Sequence, residues 1–427
     1  MTISKSPENQ SESSSSEAPS AGETSATHCP YRQASLLQQA LTPDKMRVAF
    51  FLGAGCPVAI RVPNGSGTSP LIPDIEGLTK EVSRKIEESE EHRAGFSAIL
   101  KRLSDSGNAK PNIEQILTHV RVLSEVIGNG FDGLSKKSLN DVDEKICRLT
   151  TDIVDAKLPG DDTPYHHVAT WIGGIQRAHS VEIFTPNYDL LMEQALEQRR
   201  VPYFDGFVGS ASTFFDVASM EQDNLPARWS RLWKVHGSIN WWRTTLGNVE
   251  RRRDSTNGDR QMIYPSHLKY DQSRRLPYLA MLDRLKAFLA RGQAVLITCG
   301  YSFADQHLNE VISQGLSGNP NAICFGLLFA DRAKYPEAVS QARSQSNLNL
   351  LAVDGAVLNT IERDWRLDKK EEHPLHGLAV ATGEMKERTS SPEKRCKFLL
   401  GDFKAFGLFL AQHLAQGADS GKEDNAQ

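Results

Sequence analysis

Arg47-Val-Ala-Phe-Phe-Leu-Gly-Ala-Gly55 is the stretch of sequence that decides the fold. A compact apolar run that ends in Gly-Ala-Gly is typical of a buried parallel strand turning tightly into a loop that faces a phosphate. Such a turn lets the backbone approach a pyrophosphate, and the helix that follows offers N–H donors and a favourable dipole. Gly53, Ala54 and Gly55 are therefore candidate dinucleotide ligands, the alternative being a tight turn that binds nothing.

Short apolar runs like this one recur along the chain and predict further strands. They lie at 181–185, 232–235, 294–298, 322–329 and 348–353. Helical patterns separate them, which indicates βαβ units and a parallel sheet. Between the first two strands, about 130 residues show helical periodicity, and Asn112 is placed to cap one of these helices. We expect an α/β fold, a Rossmann-like parallel sheet flanked by helices, with an inserted helical lobe at about 75–178.

The two ends of the chain differ in composition from the rest. Ser, Glu, Ala and Thr dominate the first 28 residues, and Gly, Asp, Lys and Glu dominate the last twelve. Such segments bury too little apolar surface to offset the entropy of ordering. We predict disordered tails at 1–30 and 416–427, a main domain at 31–365 and a C-terminal helical extension at 366–415.

Polar residues follow the second predicted strand in Thr185-Pro-Asn-Tyr-Asp189. Asn187 and Asp189 would lie at the carboxyl edge of the sheet, where open α/β sheets bind their ligands. Both residue types also cap helices very often, so a purely structural role is the alternative for each.

Candidate ligand-binding residues also follow two later predicted strands. His236 is followed by a glycine that leaves room beside it, and an imidazole can act as a base near neutral pH. In Cys299-Gly-Tyr-Ser-Phe-Ala-Asp305, Gly300 allows close approach of a ligand. Ser302 and Asp305 can bond ribose hydroxyls, cap the next helix, or do both.

Bulk properties exclude several classes of function. The chain has 427 residues and a formal net charge of -4, which argues against direct binding of nucleic acid through bulk charge. Its six cysteines include no C-x-x-C pair, no secretory leader precedes them, and no apolar run is long enough for a membrane span. We expect a cytoplasmic protein that makes no contact with a membrane.

The order G-A-G, N-x-D, H-G and G-x-S-x-x-D, from about residue 45 to about residue 355, resembles the sirtuin superfamily. The sequences of these motifs are especially similar to those of the bacterial sirtuin-like NAD hydrolases of anti-phage defence. The segments concerned are Phe51-Leu-Gly-Ala-Gly55, Asn187-Tyr-Asp189 and Val235-His-Gly-Ser-Ile-Asn-Trp241. The resemblance implies that 31–365 is an NAD-binding catalytic domain. It implies an NAD+ glycohydrolase that releases nicotinamide and ADP-ribose and so depletes NAD+ during infection.

The resemblance also implies a role for each site residue. Asn187, His236 and Asp189 would be catalytic: Asn187 would position the nicotinamide ribose and a water, His236 would act on the ribose hydroxyls or the water, and Asp189 would bind the carboxamide. The predicted cofactor-binding residues are Gly53, Ala54 and Gly55 at the pyrophosphate, Asp74 in the loop that follows, Gly300 and Ser302 at the adenosine half, and Asp305.

Departures from the family pattern narrow the expected chemistry. Sirtuin deacylases carry two cysteine pairs that bind zinc, and this chain lacks them, so we expect no zinc module and no metal. Cys56 and Pro186 also replace the residues common in the family. The alternatives are a deacylase or ADP-ribosyltransferase, or a sensor subunit that binds NAD or ADP-ribose without cleaving it. Implied partners are other copies of the chain in a homo-oligomer and a HerA-type hexameric ATPase.

Overall fold

The computed structural model describes residues 28–42, 46–128, 130, 133–160, 162–222, 224–253, 260–263, 276–367, 373–383 and 395–423. The predicted N-terminal tail lies outside them except for its last residues, of which Pro30 begins the first helix.

The strands are, in chain order, β1 (Arg47–Leu52), β2 (Arg61–Asn64), β3 (Gly67–Pro70), β4 (Glu182–Thr185), β5 (Tyr203–Phe204), β6 (Phe207–Val208), β7 (Phe214–Phe215), β8 (Ser230–Lys234), β9 (Gly237–Arg243), β10 (Val249–Arg251), β11 (Arg260–Ile263), β12 (Ala294–Cys299), β13 (Ala322–Leu327), β14 (Leu348–Leu351), β15 (Gly355–Leu358), β16 (Ile361–Asp364), β17 (Val380–Gly383) and β18 (Arg395–Phe398).

The helices are α1 (Pro30–Ala40), α2 (Gly55–Val58), α3 (Ile75–Glu87), α4 (Glu90–Asp105), α5 (Ile113–Val126), α6 (Lys136–Val154), α7 (Pro164–Gly174), α8 (Leu191–Gln198), α9 (Val217–Gln222), α10 (Tyr278–Ala290), α11 (Gln306–Gly318), α12 (Pro336–Ser344) and α13 (Phe403–Glu423), with a 3-10 turn at Arg332–Lys334.

A nine-stranded sheet organises the molecule, in the order β16-β15-β14-β13-β12-β1-β4-β8-β5. The strands from β14 to β5 are parallel, and β15 and β16 add an antiparallel edge. Strand β12 is buried along its whole length, as expected when helices cover both faces of a parallel sheet. The predicted α/β class with a Rossmann-like parallel sheet is therefore confirmed.

The path of the chain creates a switch point in this sheet. After β1 the chain builds β4 and β8 on one side, and then returns to place β12 on the other side of β1. Loops that leave neighbouring strands in opposite directions open a crevice at the carboxyl edge, where ligands of such sheets bind. The loops after β1 and β12 flank this crevice.

Helices α3 to α6 form a lobe between β3 and α7. Their burial is one-sided: Leu78, Val82 and Ile86 place one buried residue per turn along α3. A buried ion pair, with 2.9 Å between Arg121 Nη2 and Asp143 Oδ1, joins α5 to α6. Asn112 caps α5 in a reciprocal capping box with Gln115.

The C-terminal part contributes the antiparallel pair of strands β17 and β18 as well as a helix. Helix α13 packs on α7 so closely that a Cβ on Gly407 would lie 2.9 Å from Pro164 Cα. This helix continues to Glu423, through most of the segment predicted as a C-terminal tail, and 424–427 lie outside the described residues. No described helix combines the length and the apolar character that crossing a membrane requires.

Candidate active site

A cavity of about 520 Å³ lies at the carboxyl edge of the sheet, and we refer to it as the carboxyl-edge cavity. It is walled by the ends of β1, β4, β8 and β12 and by helices α3, α5 and α11. Seven of the ten predicted site residues line it: Ala54, Asn187, Asp189, His236, Gly300, Ser302 and Asp305. Segments separated by up to about 250 residues of sequence therefore meet in one place.

Gly53 and Gly55 lie behind the cavity wall, against the loop that follows β12. Their amides donate to the carbonyls of Cys299 and Gly300, each over 2.9 Å. A Cβ on Gly53 would lie 2.3 Å from the Gly300 carbonyl oxygen, and one on Gly300, whose φ is +66°, would lie 2.6 Å from the Cys56 nitrogen. Glycine is needed here because two backbones touch. Pyrophosphate binding by Gly53 and Gly55 stays a prediction, since these two amides already donate to the neighbouring loop.

Asn187 is fixed by the strand beside it. Its Nδ2 donates to the Gly53 carbonyl over 3.0 Å, and its backbone amide donates to Thr185 Oγ1 over 3.1 Å. Thr185 in turn donates to the Leu52 carbonyl. These bonds tie the end of β4 to the end of β1 and hold the amide of Asn187 at the cavity wall.

Asp189 places a buried carboxyl group at the same wall. Only 6% of the residue's surface is exposed to solvent. Its Oδ1 accepts from the Leu191 amide over 3.0 Å, which forms a local turn leading into the first residue of helix α8. Burial raises the pKa of Asp189 to about 6, although the charge of Lys234 and the bond from Leu191 oppose that shift. Asp189 therefore combines this turn with the site role proposed for it.

Lys234 lies beneath this wall and is 1% exposed. Its ammonium group donates to the backbone carbonyl of Asp189 and forms a 3.0 Å ion pair with Glu193. A buried ammonium is tolerated only when it is paired and hydrogen-bonded. Lys234 therefore holds the turn that carries Asp189, a contribution that the sequence reading missed because the residue sits inside an apolar strand.

His236 and Asp305 form a pair across the cavity, with 3.2 Å between Nε2 and Oδ2. Asp305 is also the N-cap of α11, because its Oδ1 accepts from the amides of His307 and Leu308. One carboxylate thus caps the helix and orients the imidazole. A carboxylate that faces Nε2 favours the tautomer that carries its proton on that nitrogen.

The loop between Gly300 and Asp305 is strained and firmly held. Phe303 is fully buried with φ at +58°, a conformation that bulky residues rarely adopt. Asn309 donates to the Phe303 carbonyl over 2.6 Å and accepts from the Tyr301 hydroxyl over 2.7 Å. This arrangement leaves Ser302 exposed at the cavity, consistent with strain retained at a functional loop.

Asp74 lies at the start of α3, where its side chain accepts from the Gly77 amide over 2.8 Å. Its neighbours Pro73 and Ile75 line the cavity, and Asp74 is not among the lining residues. The structure gives Asp74 a capping role, and its role toward the dinucleotide stays a prediction.

The helical lobe supplies lining residues that the sequence reading did not identify. Asn112, Glu114 and Gln115, at the start of α5, face the cavity opposite the sheet. The Tyr188 hydroxyl donates to Glu114 Oε1 over 3.3 Å, and burial raises the pKa of Tyr188 well above its usual range. The helix cap at Asn112 was predicted from the sequence, but its position over the site depends on tertiary packing.

Within the described residues, no cluster of three or more His, Cys, Asp and Glu side chains is placed to hold a metal ion. The cavity instead gathers an amide, a buried carboxyl group and an imidazole–carboxylate pair. Such fixed polar groups can orient a sugar and a water and can stabilise developing positive charge.

Comparison with known proteins gives one match at the level of sequence families. Residues 181–351, from β4 to β14, match a SIR2-like domain. No curated protein matches the chain.

Solved structures with similar folds include three of Sir2 enzymes. One comes from work on the mechanism and regulation of Sir2 enzymes, and it is 12% identical in sequence with a TM-score of 0.33. The alignment covers 70% of this chain and 85% of the solved chain. A Sir2 homolog–NAD complex is 14% identical with a TM-score of 0.35 and the same coverage. A Sir2 homologue mutant bound to ADP-ribose is 14% identical with a TM-score of 0.28, covering 70% and 87%. At these values the likeness assigns no role to any residue.

Proposed function

We propose that this protein is an NAD+ glycohydrolase that cleaves NAD+ to nicotinamide and ADP-ribose. The observation that carries the proposal is the His236–Asp305 pair, which shares one cavity at the switch point of the sheet with Asn187 and Asp189. The match of residues 181–351 to a SIR2-like domain supports NAD-dependent chemistry. The cavity volume of about 520 Å³ falls within the range of small-molecule sites.

In this mechanism the bond between ribose C1′ and the nicotinamide nitrogen breaks, and its electron pair stays on the nicotinamide. Asp189 accepts a hydrogen bond from the carboxamide and orients the leaving group. Positive charge develops on the ribose, where the Asn187 amide oxygen and nearby carboxylates stabilise it. A water held by Asn187 forms the new C1′–O bond and loses its proton to His236. The products are nicotinamide, ADP-ribose and one proton.

The decisive experiment measures NAD+ consumption by the purified full-length chain, with products separated by chromatography. We compare the wild type with Asn187→Ala and His236→Ala, each alone and mixed with the product of the neighbouring gene. His92→Ala is the matched control, because His92 lies on the helical lobe, where it bonds Ser89, and does not line the cavity. We expect nicotinamide and ADP-ribose from the wild type and the control only.

Other products would redirect the assignment. O-acetyl-ADP-ribose or labelled protein would indicate deacylation or ADP-ribosyl transfer. Saturable NAD+ binding without turnover, unchanged in both cavity variants, would contradict the hydrolase and identify a sensor subunit.

We further propose that the enzyme acts in the cytoplasm as an NAD+-depleting effector of anti-phage defence. This rests on the similarity of its motifs to the bacterial sirtuin-like defence hydrolases. Such an activity must be restrained in uninfected cells, and assembly into a closed homo-oligomer with a HerA-type hexameric ATPase would provide the restraint. Size-exclusion chromatography of the chain with the neighbouring gene product tests the complex, and separate elution of the two would count against it.

A further inference from the structure

A second cavity, of about 610 Å³, lies at the opposite edge of the sheet. It is formed where the chain enters β4, β5 and β8, so we refer to it as the amino-edge cavity. Its floor consists of Val181, Val201, Pro202 and Ser230. None of its lining residues belongs to the carboxyl-edge cavity.

Positive charge dominates this second cavity. Arg177, Arg199, Arg200 and Arg228 line it together with His179, and its described lining includes no aspartate or glutamate. The chain as a whole carries a net charge of -4, so this cluster of arginines has the opposite sign to the net charge of the molecule. Like charges gathered in one concave site repel each other, and a bound anion relieves that repulsion.

Helix dipoles account for only part of this charge. Helices α7 and α8 both end at the cavity, and a helix C-terminus favours nearby cations. Each terminus carries about half a negative charge, so the two together offset roughly one of the four arginines. Arg177 also donates to the Leu41 and Thr42 carbonyls and lies over the Trp171 ring. Arg200 and Arg228 are both exposed, so their charges lie at the mouth of the cavity.

Arg200 occupies a position where another residue would fit the backbone better. Its φ is +56°, and it follows α8 in the left-handed conformation that glycine favours after a helix. A non-glycine residue in this conformation is disfavoured, because its Cβ lies too close to the following carbonyl oxygen. The Arg200 side chain is exposed at the cavity, where it adds a charge that glycine would not.

We propose that the amino-edge cavity binds a phosphate-bearing small ligand of nucleotide size through its di- or triphosphate group. The volume suits a small molecule, since ligand sites of this kind usually span about 300–1,000 Å³. Arginine is the residue best matched to phosphate, because its planar fork donates two parallel hydrogen bonds. The cavity is concave and local, whereas a nucleic-acid surface would need basic residues along an extended track.

Isothermal titration calorimetry tests the proposal. Inorganic tripolyphosphate and ATP are each titrated into the full-length chain at fixed ionic strength. Adenosine serves as the probe without phosphate, and sulfate as an anion without a polyphosphate chain. We expect both polyphosphates to bind and adenosine and sulfate not to bind. If ATP binds more tightly than tripolyphosphate, the cavity also contacts the base. If the two bind equally, the cavity recognises the phosphates alone.

Two variants locate the site. Arg200→Gly suits the left-handed backbone, so the fold should be kept, and Arg228→Gln changes an exposed loop residue. The double variant should weaken tripolyphosphate binding about tenfold or more. Arg148→Gln, an exposed arginine on α6, is the matched control and should bind as the wild type does.

The proposal fails if the wild type binds neither polyphosphate, or if the double variant binds as tightly as the wild type. A single-stranded DNA oligonucleotide that binds more tightly than ATP would also overturn it in favour of a nucleic-acid surface. NAD+ turnover is measured on the same samples without added anion and should be unchanged in the double variant. Binding at the amino edge and hydrolysis at the carboxyl edge can therefore fail separately.

Discussion

The buried carboxyl group of Asp189 costs the folded state free energy. Its pKa is raised from the usual 3.8 to about 6, so the folded protein holds the proton more tightly than the unfolded chain does. Stability linked to this group is therefore full below pH 4 and declines as the pH rises from about 4 to about 6. Above that range the ionised group costs roughly 3 kcal/mol. A cost of this size at the cavity wall is typical of a functional residue.

Asp189→Asn should remove that cost and the function together. The amide oxygen can still accept from the Leu191 amide, so the turn that leads into α8 is kept. We expect the free energy of unfolding to exceed that of the wild type by about 2–3 kcal/mol at pH 8, with little difference at pH 4. NAD+ turnover should fall steeply. Urea unfolding at both pH values measures the difference, and an equal effect at pH 4 and pH 8 would show that ionisation of Asp189 is not the cause.

Asp305 combines two tasks that a pair of substitutions can separate. Asp305→Asn keeps an oxygen for the His307 and Leu308 amides but removes the charge that faces His236. We expect thermal unfolding within a few degrees of the wild type and a loss in kcat of about tenfold or more, with a smaller change in KM. Asp305→Ala should lose about 1 kcal/mol of stability in addition. A wild-type kcat in Asp305→Asn would mean that the carboxylate serves only as a cap.

Glycine contacts join the two loops of the switch point into one unit. Gly300→Ala would combine an unfavourable φ with a contact of 2.6 Å to the Cys56 nitrogen, so we expect a loss of about 2–4 kcal/mol and of NAD+ binding. Gly292→Ala is the matched control: its φ is +57°, and a Cβ there meets nothing within 4 Å. The control should lose only about 1 kcal/mol. Thermal unfolding of both variants measures the difference; equal losses would show that the loop contact contributes nothing.

Local patterns were sufficient to predict the strand ends that build the site. Gly53, Asn187, His236 and Gly300 each follow a short apolar run, and the ends of parallel strands meet at one edge of a sheet. The strand order and the switch point could not be read from those runs, because pairing between distant strands leaves no local signal. The helical insertion was visible as periodicity, but not the face it presents to the cavity.

Tertiary packing determines the residues that the sequence did not indicate. Lys234 lies in an apolar strand, and its role can be recognised only from its contacts with Glu193 and the Asp189 carbonyl. Glu114 reaches Tyr188 across a separation of 74 residues. Asp74 illustrates the opposite case, because its residue type suits both a ligand and a cap, and the structure shows the cap.

The molecule as a whole encloses the cavity between two units, the sheet and the helical lobe. Residues at the start of α5 form the wall opposite β4 and β12, and the Tyr188–Glu114 bond bridges the two units. The buried Arg121–Asp143 pair continues this connection into α6. A ligand in the cavity would contact both units, so its binding energy should stabilise the lobe as well as the sheet.

Hydrogen exchange with and without ADP-ribose measures that coupling. A ligand at about 100 times its Kd stabilises the bound form by about 2.7 kcal/mol, which slows amide exchange wherever opening releases the ligand. We expect slower exchange at 112–117 in the lobe together with 53–57 and 300–308 at the sheet. Helix α4, which contributes no residue to the cavity lining, is the internal control and should change least. Protection confined to the sheet segments would mean that the lobe opens independently of the site, and that Glu114 and Gln115 do not take part in binding.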